Sequence, residues 1–520
     1  MMYTQKIDIL DSTLRDGAQG EGISFSVEDK LSVVSALDEL GVGFIEAGNP
    51  ASNPKELEFF QKASKLTLHN SKLVAFGSTR RKGCRPEDDK NLSALLAANT
   101  EVISIFGKSS LLHVYEILNT TAEENLQMIQ DSIRYLRAQG KRVLFDAEHF
   151  FDGYQYDSEY AVSTLEAASD AGAECLVLCD TNGGAFPEDV FQITKKMNAL
   201  FPNRIGIHTH NDKGMAVANS IMAVCAGAVH VQGTYLGFGE RCGNANLSTI
   251  IPNLQIKGIK CISQDDLELI TPIAKRIAEI ANISVKKEDP YVGESAFAHK
   301  AGMHSDGVLK LSSSFEHIAP EAVGNQRRIL LSEITGRGAV LQKIQQLDPN
   351  LTKDSDETKK VIEELKRMEQ HGYQFEGADA SFEMLIRRTI GADKEFFELV
   401  KYKIVSETPD DDGLSATATV KVRVGDNTEV VAAEGNGPIN ALDKALRLAL
   451  EMFYPELKKV HLIDYKVRVI DSKSATAAVV RVLITSTDGD HVWSTVGVSS
   501  DVVEASRVAL IESIAYKLIK

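Results

Sequence analysis

Through the first half of the chain, short apolar runs alternate with stretches whose apolar residues recur every three or four positions. The runs are Ile7–Asp11, Phe44–Gly48, Leu73–Thr79, Val102–Lys108, Val143–His149, Cys175–Thr181, Ile205–Asn211 and Val229–Leu236. Most are bounded by Gly or polar residues, the pattern of short buried strands. The stretches between them are long enough for helices. In Val27–Leu40, the apolar residues Leu31, Val34, Leu37 and Leu40 share one helical face. Ser26 is placed to cap that helix, Asp29 to reach back to the cap, and Gly41 to end it. Strand–helix alternation predicts a parallel sheet. Eight repeats in roughly 250 residues predict an α/β fold closed as a (β/α)₈ TIM barrel, with an open doubly wound sheet as the alternative. This catalytic barrel is expected over residues 1–264.

Residues 265–395 change character and read as short helices, a linker or lid between two folded parts. The tail, 396–520, carries an internal repeat. Tyr402-Lys403-Ile404 returns as Tyr465-Lys466-Val467, and Ser415-Ala416-Thr417-Ala418 as Ser474-Ala475-Thr476-Ala477. Gly435-Asn436-Gly437-Pro438, opening a helix, returns loosely as Val496-Gly497-Val498-Ser499. Each copy reads as strands then a helix, so the pair predicts a duplicated α+β module. A ligand-sensing appendage and a plain dimerisation domain both fit that pattern.

Composition narrows the function classes. The chain is 520 residues long, too long for one compact core. With 43% hydrophobic and 25% charged residues it has the make-up of a soluble globular protein. No run of about 18 apolar residues occurs, which argues against a membrane partner. The start, MMYTQKIDIL, is unlike a secretory or transit peptide. A formal net charge of −16 argues against a nucleic-acid partner. Cys84, Cys175, Cys179, Cys225, Cys242 and Cys261 form neither zinc-type pairs nor a disulfide pattern, so reduced, mostly buried thiols and a cytoplasmic location are expected.

The polar residues concentrate where the chemistry of a barrel is done, at the C-terminal strand ends. Asp16 follows the first strand, Glu46 ends the second and Lys108 the fourth; Glu148, Asp180 and the His208/His210 pair end the fifth, sixth and seventh, and Asn244 follows the eighth. No comparable cluster is expected on the opposite face. His208-x-His210 is the most specific signal, because residues two apart on a strand share a face. Closure brings Asp16 and Asn244 near them. Two imidazoles, a carboxylate and an amide oxygen suit Mg, Mn, Zn or Co and leave two octahedral positions for a chelating 2-oxo acid. Arg15, beside Asp16, is placed to stabilise an oxyanion, with pairing to Glu46 or Glu148 as its structural alternative. Glu148 is placed for proton transfer, or for pairing with Arg15 or Arg80. Thr181 can donate to a substrate carboxylate, and Glu240 can position Arg15 or a water. His299, His304 and Asp306 read as a lid that reaches a site, or as a surface turn.

The segments Asp11–Gly22, His208-Thr209-His210-Asn211-Asp212, Gly239-Glu240-Arg241-Cys242-Gly243-Asn244, Phe297–Gly307, Val323-Gly324-Asn325 and Gly435–Pro438 jointly carry a resemblance over essentially the whole chain. It resembles the family of 2-isopropylmalate, homocitrate and citramalate synthases, and looks most like its citramalate branch. The resemblance implies a Claisen condensation of acetyl-CoA with a 2-oxo acid, pyruvate for the citramalate branch and 2-oxoisovalerate for the isopropylmalate branch, followed by thioester hydrolysis. It implies a divalent metal on Asp16, His208, His210 and Asn244, with Arg15 stabilising the alkoxide, Glu148 in proton transfer and Thr181 on the oxo-acid carboxylate. It further implies that His304, from the neighbouring protomer of a homodimer, helps deprotonate acetyl-CoA. The tail resembles a regulatory domain that binds the end-product amino acid, isoleucine for this branch. Phe315 stands where the family usually has Tyr, Asn49 and Ala51 where it has Trp and Gly, and Leu236 where it has Asn. The departures at Phe315 and Leu236 leave a catalytically dead amino-acid sensor as a reading of another class. An acyl-CoA lyase on the same barrel is disfavoured by the sensing tail.

Overall fold

The computed structural model describes residues 6–520 apart from 264, 300–303, 305–306, 309, 330–340, 342–343, 346, 353, 376, 409–412 and 471–477. Asp306 and the repeat segment Ser474–Ala477 lie outside the described residues. Contacts divide the chain into two compact units: Met1–Phe297 with Ile318–Arg327, and Ala298–His317 with Arg328–Lys520.

Each expected apolar run forms one strand of the first unit. The strands are β1 (Asp8–Asp11), β2 (Phe44–Gly48), β3 (Lys72–Ser78), β4 (Val102–Lys108), β5 (Arg142–Glu148), β6 (Cys175–Asp180), β7 (Ile205–Thr209) and β8 (His230–Gly233). They follow one another around a closed barrel, so the open-sheet alternative falls. Closure is a parallel β1–β8 pairing, from Asp8 opposite His230 to Asp11 opposite Gly233. The helix Val27–Glu39 forms with the expected capping box, Ser26 and Asp29 satisfying each other's backbone N–H.

Alternation along the strands splits the core in two. Leu10, Phe44, Val74, Val102, Leu144, Cys175, Val177 and Cys179 face the lumen and fill it as an apolar plug. Their neighbours in sequence, such as Ile9, Ile45, Ala75, Ile103, Val143 and Leu176, face outward and pack under the helices. A fully buried side chain of this kind contributes roughly 1.5–3 kcal/mol, so both layers hold the barrel shut.

At the N-terminal strand ends the charged side chains form exposed ion pairs. Lys72 and Arg142 open β3 and β5 there and bind Glu101, at 2.5 and 3.4 Å, and Arg142 also binds Glu174. These side chains keep 29–54% of their surface in water, so each pair is worth at most about 1 kcal/mol.

The second unit contains a short parallel pair, β9 (Ala298–His299) and β10 (Arg328–Ile329), helices at Asp356–Gln370 and Asp379–Thr389, and the duplicated tail. The tail is two three-stranded antiparallel sheets: β11 (Glu398–Ser406), β12 (Ala416–Val424), β13 (Asn427–Gly435), and β14 (His461–Val469), β15 (Val480–Thr487), β16 (Val492–Ser499). Each sheet is followed by a helix, Pro438–Glu451 and Val502–Ile519. Both copies feed one core that includes Ala418, Val420, Leu446, Val482, Ile484 and Leu510. The repeat has a packing cause. A Cβ on Gly435 would sit 2.5 Å from the Ala441 nitrogen, and one on Gly497 would sit 2.0 Å from the Ala505 oxygen. In each copy a glycine lets the helix close onto its last strand.

Three of the six cysteines are buried, two are half-buried and Cys242 is exposed, so fewer are buried than expected; all six are free thiols. Among the described residues no helix is long and apolar enough to cross a membrane.

One polar side chain sits at the base of the lumen. His230 is buried, its ring lies 5.8 Å from that of Phe44, and its Nε2 has no hydrogen-bond partner among the described residues. Burial pushes its pKa down to about 4, against about 6.5 in an unfolded chain. Between those values the unfolded state binds a proton that the native state refuses, so the stability is present above pH 6.5 and is lost as pH falls toward 4. Urea unfolding should show a loss of about 3 kcal/mol from this group between pH 7.5 and 4.5. His230→Phe should remove that share of the slope.

Candidate active site at the barrel mouth

The turn after β1 sets the first ligand-type side chain. Thr13 N–H donates to Asp11 Oδ1 at 2.8 Å, Arg15 N–H to the Ser12 carbonyl at 3.1 Å, and Asp16 N–H to Ser12 Oγ at 3.3 Å. Tyr235 N–H, just past β8, donates to Thr13 Oγ1 at 2.8 Å and ties this turn to the closing strand. Asp16 therefore points over the plug, buried.

The histidine pair arrives from β7, with one refinement. β7 ends at Thr209, so His210 lies one residue beyond it. The loop after β8 holds it in line: His210 bridges Asn244, Asn211 N–H donates to the Gly243 carbonyl at 2.9 Å, and Ala245 N–H to that of Thr209 at 2.9 Å. The loop glycines have a steric cause. A Cβ on Gly239 would fall 2.2 Å from Asn244 Nδ2, and one on Gly243, whose φ is +86°, would fall 2.0 Å from the Gly237 oxygen.

The two Nε2 atoms lie 3.3 Å apart, and Asp16 Oδ2 is 3.5 Å from His208 Nε2 and 4.0 Å from His210 Nε2. Ligand bonds of about 2.0–2.2 Å to a common ion place neighbouring ligand atoms roughly 3.0–3.5 Å apart, so these three residues could hold a divalent cation. The protonation states agree. Burial holds both imidazoles neutral, His208 down to about 3, against the pull of Asp16. Burial alone would raise the Asp16 carboxyl, but Arg15, His208, His210 and the Asn244 amide hold it well below the usual range. Asn244 Nδ2 donates to Asp16 Oδ1 at 3.1 Å and to the Phe238 carbonyl at 3.0 Å, while its buried Oδ1 has no partner among the described residues. An orphaned amide oxygen beside the cluster fits a fourth ligand.

Arg15 Nε donates to Glu46 Oε2 at 2.7 Å and Nη1 to Asp16 Oδ2 at 3.0 Å, with the guanidinium carbon 3.7 Å from the Phe76 ring centre. The structural pairing with Glu46 is thus present, and the guanidinium still faces the cavity. Glu148 contacts Lys108, not Arg15 or Arg80; Arg80 is taken up by Glu124 at 2.8 Å and Asp131 at 2.9 Å. Thr181 Oγ1 accepts from His149 N–H at 2.9 Å, which leaves its hydroxyl proton to donate. Glu240 sits 3.5 Å from Arg241, not on Arg15. Arg241 reaches across the mouth to the Thr181 carbonyl at 2.8 Å and to Asp212.

These groups line a cavity of about 270 Å³, walled by Phe76 and Phe106 with ring centres 5.4 Å apart. Arg15, Asp16, Glu148, Thr181, His208 and His210 all face it. His304 is not among them. It belongs to the second unit, is exposed, and lies against Phe315 with ring centres 4.3 Å apart; His299 binds Glu316 at 3.0 Å. Of the departures, Leu236 is the informative one. Its φ is +59°, a left-handed conformation that Asn adopts more readily than Leu. Asn49 Oδ1 merely accepts from Ala51 N–H, closing a turn at 2.9 Å.

The residue pattern did not single out the buried polar layer beneath the cluster. Ser104 Oγ and Gln232 Nε2 each donate to Asp146 at 2.9 Å, and burial with the nearby Glu46 pushes Asp146 up to about 7. The one available signal was polar residues at lumen-facing positions of strands that are otherwise apolar.

The HMGL-like family profile matches residues 6–277, a homocitrate synthase post-HMGL domain-like profile matches 291–373, and the LeuA allosteric (dimerisation) domain matches 376–518. The chain is 51% identical to the (R)-citramalate synthase of Aquifex aeolicus, over 99% of this chain and 98% of the relative. It is 48% identical to that of Geobacter sulfurreducens, again over 99% and 98%. A 2-isopropylmalate synthase of Methanocaldococcus jannaschii is more distant, at 30% over 98% of this chain and 94% of the relative. With an HMGL-like barrel and relatives of half-identical sequence over almost its whole length, the chain belongs to the (R)-citramalate synthase family.

Proposed function

We propose that this protein is a citramalate synthase, converting pyruvate, acetyl-CoA and water to (R)-citramalate and CoA. The observation that carries the reading is the buried Asp16–His208–His210 cluster, with ionised carboxylate and neutral imidazoles, facing a small cavity beside the Arg15 guanidinium. Asp16, His208 and His210, with Asn244 as the fourth ligand, would hold Mg, Mn, Zn or Co. When bound, such an ion supplies a Lewis acid that polarises the acceptor's keto group.

The protein groups divide the remaining work. Thr181 donates to the acceptor's carboxylate and orients it. Arg15, held by Glu46 and stacked on Phe76, presents fixed positive charge where the keto oxygen gains negative charge as the carbon–carbon bond forms. Its pKa is raised because Glu46 and Asp16 outweigh burial, so it stays charged throughout. Glu148, with Lys108 against it, takes part in moving the proton at the cavity wall. His304 keeps the role implied by resemblance, withdrawal of a proton from the acetyl methyl. Phe76 and Phe106 narrow the cavity and favour pyruvate over 2-oxoisovalerate. The LeuA-type tail supports a homodimer whose second unit binds isoleucine as an end-product signal, and a biosynthetic role with free thiols fits the cytoplasm. The intact Asp16–His208–His210 cluster and Arg15 count against a dead sensor.

Release of free thiol from acetyl-CoA, followed with a panel of 2-oxo acids, should be fastest with pyruvate. Turnover far better with 2-oxoisovalerate would make the protein a 2-isopropylmalate synthase instead. Calorimetry should show metal and pyruvate binding that both vanish in His210→Ala; isoleucine binding alone would support the sensor. Phe106→Ala should raise the kcat/KM ratio of 2-oxoisovalerate to pyruvate about tenfold, the scale on which a few methyl groups discriminate.

A further inference from the structure

A buried chain of hydrogen bonds runs beneath the cluster, and the chemistry above does not use it. Gln232 on β8 and His208 on β7 are register partners, so their side chains stand side by side on the lumen face. Gln232 Nε2 donates across the lumen to Asp146 Oδ1 on β5 at 2.9 Å, and Ser104 Oγ on β4 donates to Asp146 Oδ2 at 2.9 Å. All four residues are buried. His208 turns its Nε2 toward Asp16 and His210. Its Nδ1 and the Gln232 Oε1 are both buried and neither has a hydrogen-bond partner among the described residues, while Gln232 is the side-chain amide that acts on the imidazole.

We propose that Ser104, Asp146 and Gln232 are positioning residues that fix His208 in the tautomer with Nδ1 protonated and Nε2 bare. The argument is one of donors and acceptors, and it rests on reading the cluster as a metal site. Above about pH 7, where Asp146 is ionised, its carboxylate only accepts. Two donors fill Asp146, and that decides which end of the Gln232 amide faces it. The NH₂ goes to Asp146, so the amide oxygen is presented to His208. An oxygen there requires a proton on Nδ1, which leaves the Nε2 lone pair toward Asp16 and His210. An unrestrained imidazole divides between two tautomers, and the one protonated on Nε2 cannot ligate through that atom. The chain also accounts for Ser, Asp and Gln in a lumen layer where apolar side chains would cost less to bury.

The test uses full-length, metal-free protein labelled with ¹⁵N-histidine. Long-range ¹H–¹⁵N correlation reads the His208 tautomer, with the signal assigned by its loss in His208→Ala. Mn²⁺ titration calorimetry is the second readout. Wild type should show the Nδ1–H pattern. Gln232→Leu should lose it, and its Mn²⁺ affinity should fall 10–100-fold, the usual effect of losing an outer-shell partner. Asp146→Asn, which can offer either a donor or an acceptor to Gln232, should weaken both readouts and serves if Gln232→Leu does not fold. Wild-type tautomer and affinity in these variants would overturn the proposal. If Mn²⁺ binds but survives loss of His208, the metal-site reading fails by itself. The tautomer arm then decides the relay: loss of Nδ1–H in Gln232→Leu sustains it, and retention rejects it.

Discussion

The parallel pairing of β1 with β8 is the contact on which the site depends. Asp16 rides on the turn after β1, and the histidines ride on β7, which β8 joins to β1. Until the barrel closes, Asp16 and His208 have no reason to meet. The same closure is braced from above, where Tyr235 N–H grips Thr13 Oγ1 and the loop after β8 pairs back onto Thr209. A defect in this seam would therefore cost the fold and the cluster together.

Polar groups above the seam are buried at a cost and offset by one another. Asp16 remains ionised because Arg15 stands against it, and Arg15 remains ordered because Glu46 and the Phe76 ring hold it. The neutral histidines are the other half of that balance. Burial disfavours their charged form more strongly than Asp16 favours it. In a low-dielectric lumen the outcome is a negative carboxylate and bare nitrogens side by side, the electronic requirement of a cation site. The apolar plug beneath keeps water from relaxing this arrangement.

The tail is governed by a different constraint, the close approach of helix to strand. Gly435 ends β13 and Gly497 lies near the end of β16, and each gives way to the backbone of its own helix. The shared core between the copies then makes the module one folded piece rather than two. The repeat in the sequence is in this sense a repeat of one packing contact.

Much of this was written in local pattern. The eight apolar runs, the Ser26 cap, the His208-x-His210 spacing and the tail duplication depend on residues a few positions apart, where periodicity speaks directly. Tertiary structure decided the rest. It chose Glu46 as the partner of Arg15 and Lys108 as the partner of Glu148, placed His210 beyond its strand, and put Leu236 in a left-handed turn. It also joined Ser104 and Gln232 to Asp146 across the lumen and set Gln232 in register beside His208. Those contacts join residues far apart in the chain, and no local spacing encodes them. They exist only because eight strands close on one another and force lumen-facing side chains to satisfy each other without water.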